Sequence, residues 1–330
     1  MPTTLTDWPS LHHDSFKNTR CLITGGAGFI GSHLAEALSI LGATVLVLDD
    51  LSGGDPSNIK DFPNVHFTQG SILDQPLLTS LTQNCTYVFH EAALGSVPGS
   101  VADPRRYYDV NCTGTLNVLE AARAASVRRL MFAASSAAYG DSEELPKRES
   151  MPVLPKSPYA AHKVTAEALL RAYSASYGLD TVSLRYFNIF GPRQNANSAY
   201  AAVIAAFAKS IAASKPPLIY GDGEQSRDFT YVDNVVHANL LAARSPKPLA
   251  GQVINVACAQ RITVNHLADL VTKILNRPDL KAKHEPERTG DVKHSLADLT
   301  KARALLNYAP IVDFAPGLEV TLKWYASVLK

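Results

Sequence analysis

Cys21 to Leu41 reads CLITGGAGFIGSHLAEALSIL. A short apolar run, CLIT, passes through glycines at 25, 28 and 31 into FIGSHLAEALSIL, where apolar residues return at helical spacing. A strand that turns through glycines into a helix opens a βα unit. The glycines permit the tight turn, let the turn's backbone approach an anion, and let helix and strand pack closely. The first N–H groups of the helix then point at that anion. Gly25, Gly28, Phe29, Ile30 and Gly31 are therefore candidates to cradle a pyrophosphate, the alternative being a βα turn with only a structural role.

Outward from this stretch the pattern repeats. TVLVLDD, HFTQG, YVFHEAA and RLMFAAS are short apolar runs, separated by helical patterns such as NVLEAARAA and TAEALLRAY. Strands alternating with helices imply right-handed crossovers and a parallel sheet covered on both faces, a doubly wound α/β fold. Asp49 falls at the end of the second strand, about 20 residues beyond the glycines, where a carboxylate binds adenosine ribose hydroxyls. A carboxylate there favours NAD over NADP, whose extra phosphate it would repel; the alternative is a solvated strand-end charge.

Past TVSLRYFNIFGP the rhythm gives way to loops rich in Pro, Gly and Asn, which predicts a smaller substrate-binding lobe. The helical DNVVHANLLAARS and strand-like QVINVA predict a return to the main sheet, so the two lobes interleave. Residues 19–185 and 231–258 are expected to form the dinucleotide-binding domain, 186–230 and 259–330 the substrate lobe, and 1–18 a peripheral lead-in.

Composition narrows the functional classes. The 330 residues are 46% hydrophobic and 18% charged, enough to bury one large core or two. A net charge of +1 offers no overall attraction to nucleic acid or an acidic membrane surface, so an anionic ligand needs local cations. Cys21, Cys85, Cys112 and Cys258 are widely spaced, without a C-x-x-C pair, which argues against a metal site and a disulfide framework and fits a reducing cytoplasm. The first residues carry no apolar run, so neither a signal peptide nor a membrane span is expected.

Chemistry is suggested by Tyr159-Ala-Ala-His-Lys163. On a helix, residues four apart share a face, so the phenol and the ammonium would point into one site. Free tyrosine titrates near ~10 and is a poor base at neutral pH, but a fixed cation beside it favours the phenolate. Ser135-Ser136 ends the strand RLMFAAS at the sheet edge where ligands bind. Either hydroxyl is a simple cap or a partner for the group that Tyr159 deprotonates. Arg193, Arg227 and Arg288 lie in loop-like segments and are surface charges, partners of aspartates such as Asp228, or cations for a nucleotide diphosphate. Tyr220 is either core or a stacking platform for a base.

ITGGAGFIGSH, FHEAALGSVP, AASSAAYGD, SPYAAHK, LRYFNIFGPRQ, AYAAVI, GDGEQSRDFTYVDN and GDVKHSLADLTKA together resemble the extended short-chain dehydrogenase/reductases of the UDP-hexose 4-epimerase type. The likeness runs from about Arg20 to the C-terminus and is greatest to the bacterial UDP-N-acetylglucosamine 4-epimerases. It implies a Rossmann-type doubly wound sheet with a smaller interleaved C-terminal lobe, NAD as cofactor, a UDP-sugar as substrate, and a homodimer. It implies Tyr159 as base, Lys163 on the nicotinamide ribose, and Ser135 or Ser136 on the sugar hydroxyl, with Ala92 and Tyr186 beside the cofactor. Asn188 and Arg227 resemble a diphosphate-binding pair, Arg288 and Asp291 fall where relatives hold UDP, and Tyr220 matches the aromatic beside uracil. Asn111 resembles a structural residue of the catalytic region.

Ser71 stands where many relatives have an acidic residue for the adenine, and Gly99 where a basic residue is expected. Dehydratases and decarboxylases of the superfamily place an acid where Ala137 stands. Alanine moves no proton, so the resemblance implies oxidation at C4 followed only by return of the hydride. A related uronic acid epimerase or UDP-sugar oxidoreductase, or a non-catalytic NAD-binding protein, are the alternative readings. Ser295 in GDVKHSLAD falls beside the sugar's C2 substituent in related epimerases, where a small residue leaves room for an N-acetyl group; otherwise it caps the helix that follows.

Overall fold

The computed structural model describes residues 3–196, 203–287 and 293–329. Strands β1 (Arg20–Thr24), β2 (Thr44–Asp49), β3 (Val65–Gln69), β4 (Tyr87–His90), β5 (Arg129–Ser135) and β6 (Thr181–Tyr186) join Gln252–Val256 in one sheet. Across the sheet the order is Gln252–Val256, β6, β5, β4, β1, β2, β3, and every pairing is parallel. β1, β4, β5 and β6 are almost wholly buried, as strands covered on both faces must be. The chain winds outward from β1 in one direction through β2 and β3 and in the other from β4 onward. A crevice therefore opens between β1 and β4 at the carboxyl edge.

Register sets what stands along that edge. Thr24 pairs with His90 and Asp49 with Gln69, while β5 and β6 run beyond the His90–Phe132 pair to end together at Ser135 and Tyr186. The helix α2 (Phe29–Ile40) leaves the glycine turn and covers one face. The helix Pro158–Tyr177 covers the other, started by the Ser157 side chain accepting from Ala160 N and stopped by Gly178 in the left-handed region. Its inward residues are Ala160, Lys163, Ala166, Glu167, Leu170 and Tyr173, spaced at three and four, so a lysine and a glutamate face the sheet among apolar neighbours. Glu167 is matched by a two-pronged bond from Arg185 on β6, at 2.8 and 2.7 Å.

The doubly wound α/β fold expected from sequence is thus the one adopted, and QVINVA does return to pair with β6. A second core gathers Phe190, Phe207, Phe229, Tyr231 and Phe314. Short strand pairs accompany it, Leu218–Tyr220 with Lys283–Glu285 and Ser226–Arg227 with Ile262–Thr263. Among the described residues no helix is long and apolar enough to cross a membrane.

One expectation is overturned. The first eighteen residues read as a peripheral lead-in, yet from Thr3 onward they are built into the fold. Trp8, on the short helix α1 (Trp8–His12), and Phe16 are 2% and 0% exposed and belong to the main core. The buried Asp233 carboxylate accepts from Thr4 Oγ1 and Thr6 Oγ1 at 2.8 Å and from Leu5 N at 2.9 Å. Two isolated aromatics among polar residues make no periodic pattern, so burial here leaves no trace in the sequence. Trp8→Ala should lower stability in a urea titration by roughly 3–5 kcal/mol, the cost of emptying a core aromatic site. A loss within ~0.5 kcal/mol, usual for the surface, would return the segment to the periphery.

Candidate active site

A cavity of about 980 Å³ lies over the carboxyl edge, bounded by the glycine turn, the ends of β4 and β5, and residues of the second lobe. That is the upper end of the ~300–1,000 Å³ typical of small-molecule sites. Gly25, Gly28, Phe29, Ile30, Gly31 and Asp49 line one end, as the sequence suggested. The turn is closely built. Gly25 has φ +70°, and a Cβ on Gly31 would sit 2.2 Å from the Gly25 carbonyl oxygen. Gly28 caps α2 without any side-chain bond to the helix, leaving its first turn free to receive an anion. Asp49 accepts from Ala27 N at 3.0 Å and Leu51 N at 2.8 Å, which fixes its carboxylate against the turn. Burial raises its pKa, opposed by those backbone bonds. An open helix N-terminus over a glycine turn, with a carboxylate beyond it, fits a dinucleotide.

Tyr159, Lys163, Ser135 and Ser136 all line the middle of the same cavity. Tyr159 is held through its backbone N–H, which donates to Ser100 Oγ at 3.0 Å. Ser135 accepts from Ala137 N at 3.2 Å, and its hydroxyl lines the cavity with the Tyr159 phenol. Lys163 is 4% exposed and donates from Nζ to the Ala133 carbonyl at 2.7 Å. Its Nζ lies 5.9 Å from the Tyr159 ring centroid.

The electrostatics differ from the simple expectation of a lysine lowering a tyrosine. Burial pushes Tyr159 up from the usual phenol value, and the opposing pull is the Ser135 hydrogen bond. Lys163 donates its hydrogen bond to the Ala133 carbonyl, and burial brings it down to about 8 against the raising influence of Glu91, Glu167 and Cys112. Serine, not lysine, is the neighbour that draws the phenol's pKa down.

Glu91 escaped the sequence reading. It directly follows β4 and lines the cavity, accepting from Tyr186 Oη at 2.9 Å, while Asn239 Nδ2 donates to that same oxygen of Tyr186 at 2.8 Å. Burial raises Glu91 to about 7. The available signal was its position: the residue after a strand at this edge, as Ser136 is after β5. Lys147 and His294, also lining residues, were likewise not singled out.

At the far end stand Asn188, Arg227 and Ser295. Asn188 Nδ2 donates to Ser295 Oγ at 3.0 Å and to the Asp228 carbonyl at 3.2 Å, and Ser295 Oγ also accepts from Asp228 N at 3.1 Å. Ser295 is no helix cap, since the helix Thr300–Leu306 begins beyond Leu299. Arg227 donates to the carbonyls of Ser226 and Lys293, at 3.1 and 3.2 Å, and Asp228 instead accepts from backbone N–H groups of Cys258 and Ala297.

Other candidates sit elsewhere. Ala92 and Tyr186 line the cavity, but Arg193 does not; it is ion-paired with Glu36 at 2.5 Å. Tyr220 ends a strand paired to Lys283–Glu285, outside the cavity lining. Arg288 and Asp291 lie outside the described residues. Asn111 pins the loop after β4, accepting from Leu94 N at 2.9 Å and donating to its carbonyl at 3.1 Å. Ser71 accepts from Leu73 N away from the cavity. A side chain at Gly99 would run into the Tyr107 hydroxyl, 2.2 Å from its Cβ, so that position belongs to packing between helices.

Both the sequence and the fold have known relatives. The profile of the NAD dependent epimerase/dehydratase family matches residues 21–257. The UDP-glucose 4-epimerase of Mycolicibacterium smegmatis is 37% identical over 93% of this chain and 98% of its own. The structure of UDP-N-acetylglucosamine 4-epimerase from Methanobrevibacter ruminantium, in complex with UDP-N-acetylmuramic acid, superposes with a TM-score of 0.90 at 42% identity, covering 95% of this chain and all of that one. The Thermus thermophilus UDP-glucose 4-epimerase complex with NAD superposes at 0.84 with 36% identity, over 93% and 99% of the two chains. Gly31→Ala should weaken NAD binding about tenfold or more in calorimetry, because the added methyl must displace the Gly25 carbonyl. Unchanged affinity would show that the turn does not hold the dinucleotide.

Proposed function

This chain belongs to the NAD dependent epimerase/dehydratase family, and we propose that it is a UDP-hexose 4-epimerase that interconverts UDP-GlcNAc with UDP-GalNAc and also admits UDP-glucose and UDP-galactose. The observation that carries the reading is the convergence of Tyr159, Ser135 and Lys163 in the cavity that the glycine turn opens. NAD, when bound, accepts a hydride from the sugar C4 and gives it back. The turn at Gly25–Gly31 and the Asp49 carboxylate would hold its pyrophosphate and adenosine ribose.

Tyr159 takes the proton of the C4 hydroxyl and later returns it. The Ser135 hydroxyl eases formation of the phenolate inside a site whose burial opposes it. Lys163, anchored on Ala133, keeps positive charge beside the phenol ring. Ala137 lines the cavity and has no carboxyl group, so no further acid or base acts there to drive elimination or decarboxylation. Arg227 and Asn188 hold the UDP end while the sugar turns over, presenting its opposite face, and bound positioning contributes much of the rate.

Ser295 sets the room for the sugar. Its small side chain is tied down by Asn188 and Asp228, so the space beside it stays open for an acetamido group. Incubation of the purified protein with UDP-GlcNAc and with UDP-glucose, followed by separation of the products, tests the assignment: a C4 epimer of each is expected without net NADH. Stoichiometric NADH would instead identify an oxidoreductase.

Tyr159→Phe should keep NAD affinity and fold while reducing kcat by roughly 10²–10⁴-fold; wild-type turnover would remove Tyr159 from the mechanism. Ser295→Tyr should penalise the acetylated sugars by about 1–3 kcal/mol more than the plain hexoses, through overpacking. An equal decline for both classes would leave Ser295 with only its bonds to Asn188 and Asp228.

A further inference from the structure

Lys163 is buried beneath the sheet edge, and an ammonium in that position needs a negative partner. The groups that face it come from several elements. Glu167, one turn along the same helix, is already committed to Arg185 through two bonds at 2.8 and 2.7 Å. Cys112 is a neutral thiol, pushed up to about 11 by burial. His90, at the end of β4, is pushed down to about 3 by burial and by Lys163 itself, and its two ring nitrogens are bonded to Thr24 and Thr115. Tyr186 is held well above the usual phenol range by burial and stays a neutral donor. Tyr159 brings no charge until it ionises.

Glu91 remains. Among the groups named, it is the one carboxylate whose charge is not spent on an arginine. Its Oε1 receives a single neutral hydrogen bond, from Tyr186, and its Oε2 is buried without a hydrogen-bond partner. We infer that Glu91 is a positioning residue for the reaction: its carboxylate, fixed by Tyr186, supplies the negative charge that holds Lys163 as an ammonium ion beside Tyr159. Glu91, Lys163 and Tyr159 line one cavity, and a charge placed against the lysine keeps it protonated there.

The inference rests on the epimerase reading for its assay, and pH separates it from a merely structural role. In Glu91→Gln the bond to Tyr186 can survive while the charge is gone. The alkaline limb of kcat/KM for UDP-hexose epimerisation, where Lys163 loses its proton, should move to lower pH by about one pH unit or more. Tyr186→Phe removes the bond that favours the Glu91 carboxylate, so the limb should move in the same direction but by less than in Glu91→Gln. Glu91→Asp, with its carboxylate drawn back by one methylene, should give an intermediate limb, and it carries the same test if the glutamine variant does not fold.

A second readout needs no turnover. Glu91 is raised in the fold from an ordinary 4.5 to about 7, so its contribution to stability is present below the lower value and lost as pH rises through the upper one. Glu91→Gln should remove that share of the decline in Tm between those two pH values. Limbs that coincide for wild type, Glu91→Gln and Glu91→Asp overturn the inference while leaving epimerisation intact. A wild type that epimerises no UDP-hexose overturns both.

Discussion

Seven parallel strands held in register fix where each strand ends along the carboxyl edge of the sheet, and the candidate site is a consequence of that constraint. Thr24, Asp49, His90, Ser135 and Tyr186 come from separate stretches of chain but all end at this edge, Thr24 beside His90 and, beyond the His90–Phe132 pair, Ser135 beside Tyr186. What each strand hands to the loop after it then decides the chemistry: a glycine turn after β1, a carboxylate at the end of β2, Glu91 after β4, paired serines at the end of β5. A slip of one residue in a parallel strand would turn its side chains to the opposite face and dismantle the edge.

Onto this edge the fold lowers a helix whose inward face carries charge. Burying Lys163 and Glu167 among apolar neighbours is unfavourable unless each finds a partner. Arg185 answers Glu167 directly. Lys163 is answered by a carbonyl, through Ala133, and by the field of Glu91 across the cavity. The result is a site in which burial works against both the phenolate and the ammonium, and particular neighbours restore the charged forms where they are used. Such paired adjustments, on adjacent elements of one cleft, mark places where proton transfer is organised.

Most of this architecture was legible in the sequence because it is periodic or punctuated. Strand runs, the glycine turn, Asp49 and the four-residue spacing from Tyr159 to Lys163 are local signals, and each lies where its pattern placed it. The burial of Trp8 and Phe16 is not local, since it depends on surfaces contributed by distant strands and helices. Glu91 went unseen for the same reason: its meaning comes from Tyr186 and Lys163, which only the sheet brings near. The expected lysine–tyrosine interaction was half right. Spacing put the two on one face, but the direction of the Lys163 side chain, toward Ala133, is a three-dimensional fact. Ser295 illustrates the reverse case, a plausible local role as helix cap displaced by long-range bonds to Asn188 and Asp228.

The central claim is that the sugar is oxidised and reduced at one carbon by a hydride that never leaves the site. The measurement that addresses it most directly is epimerisation of UDP-GlcNAc carrying deuterium at C4, run in ordinary water and followed by mass spectrometry of the product. Retention of the deuterium at C4 in UDP-GalNAc is the predicted result. Loss of the label to solvent during inversion would contradict the account, because the C4 hydrogen would then have left as a proton.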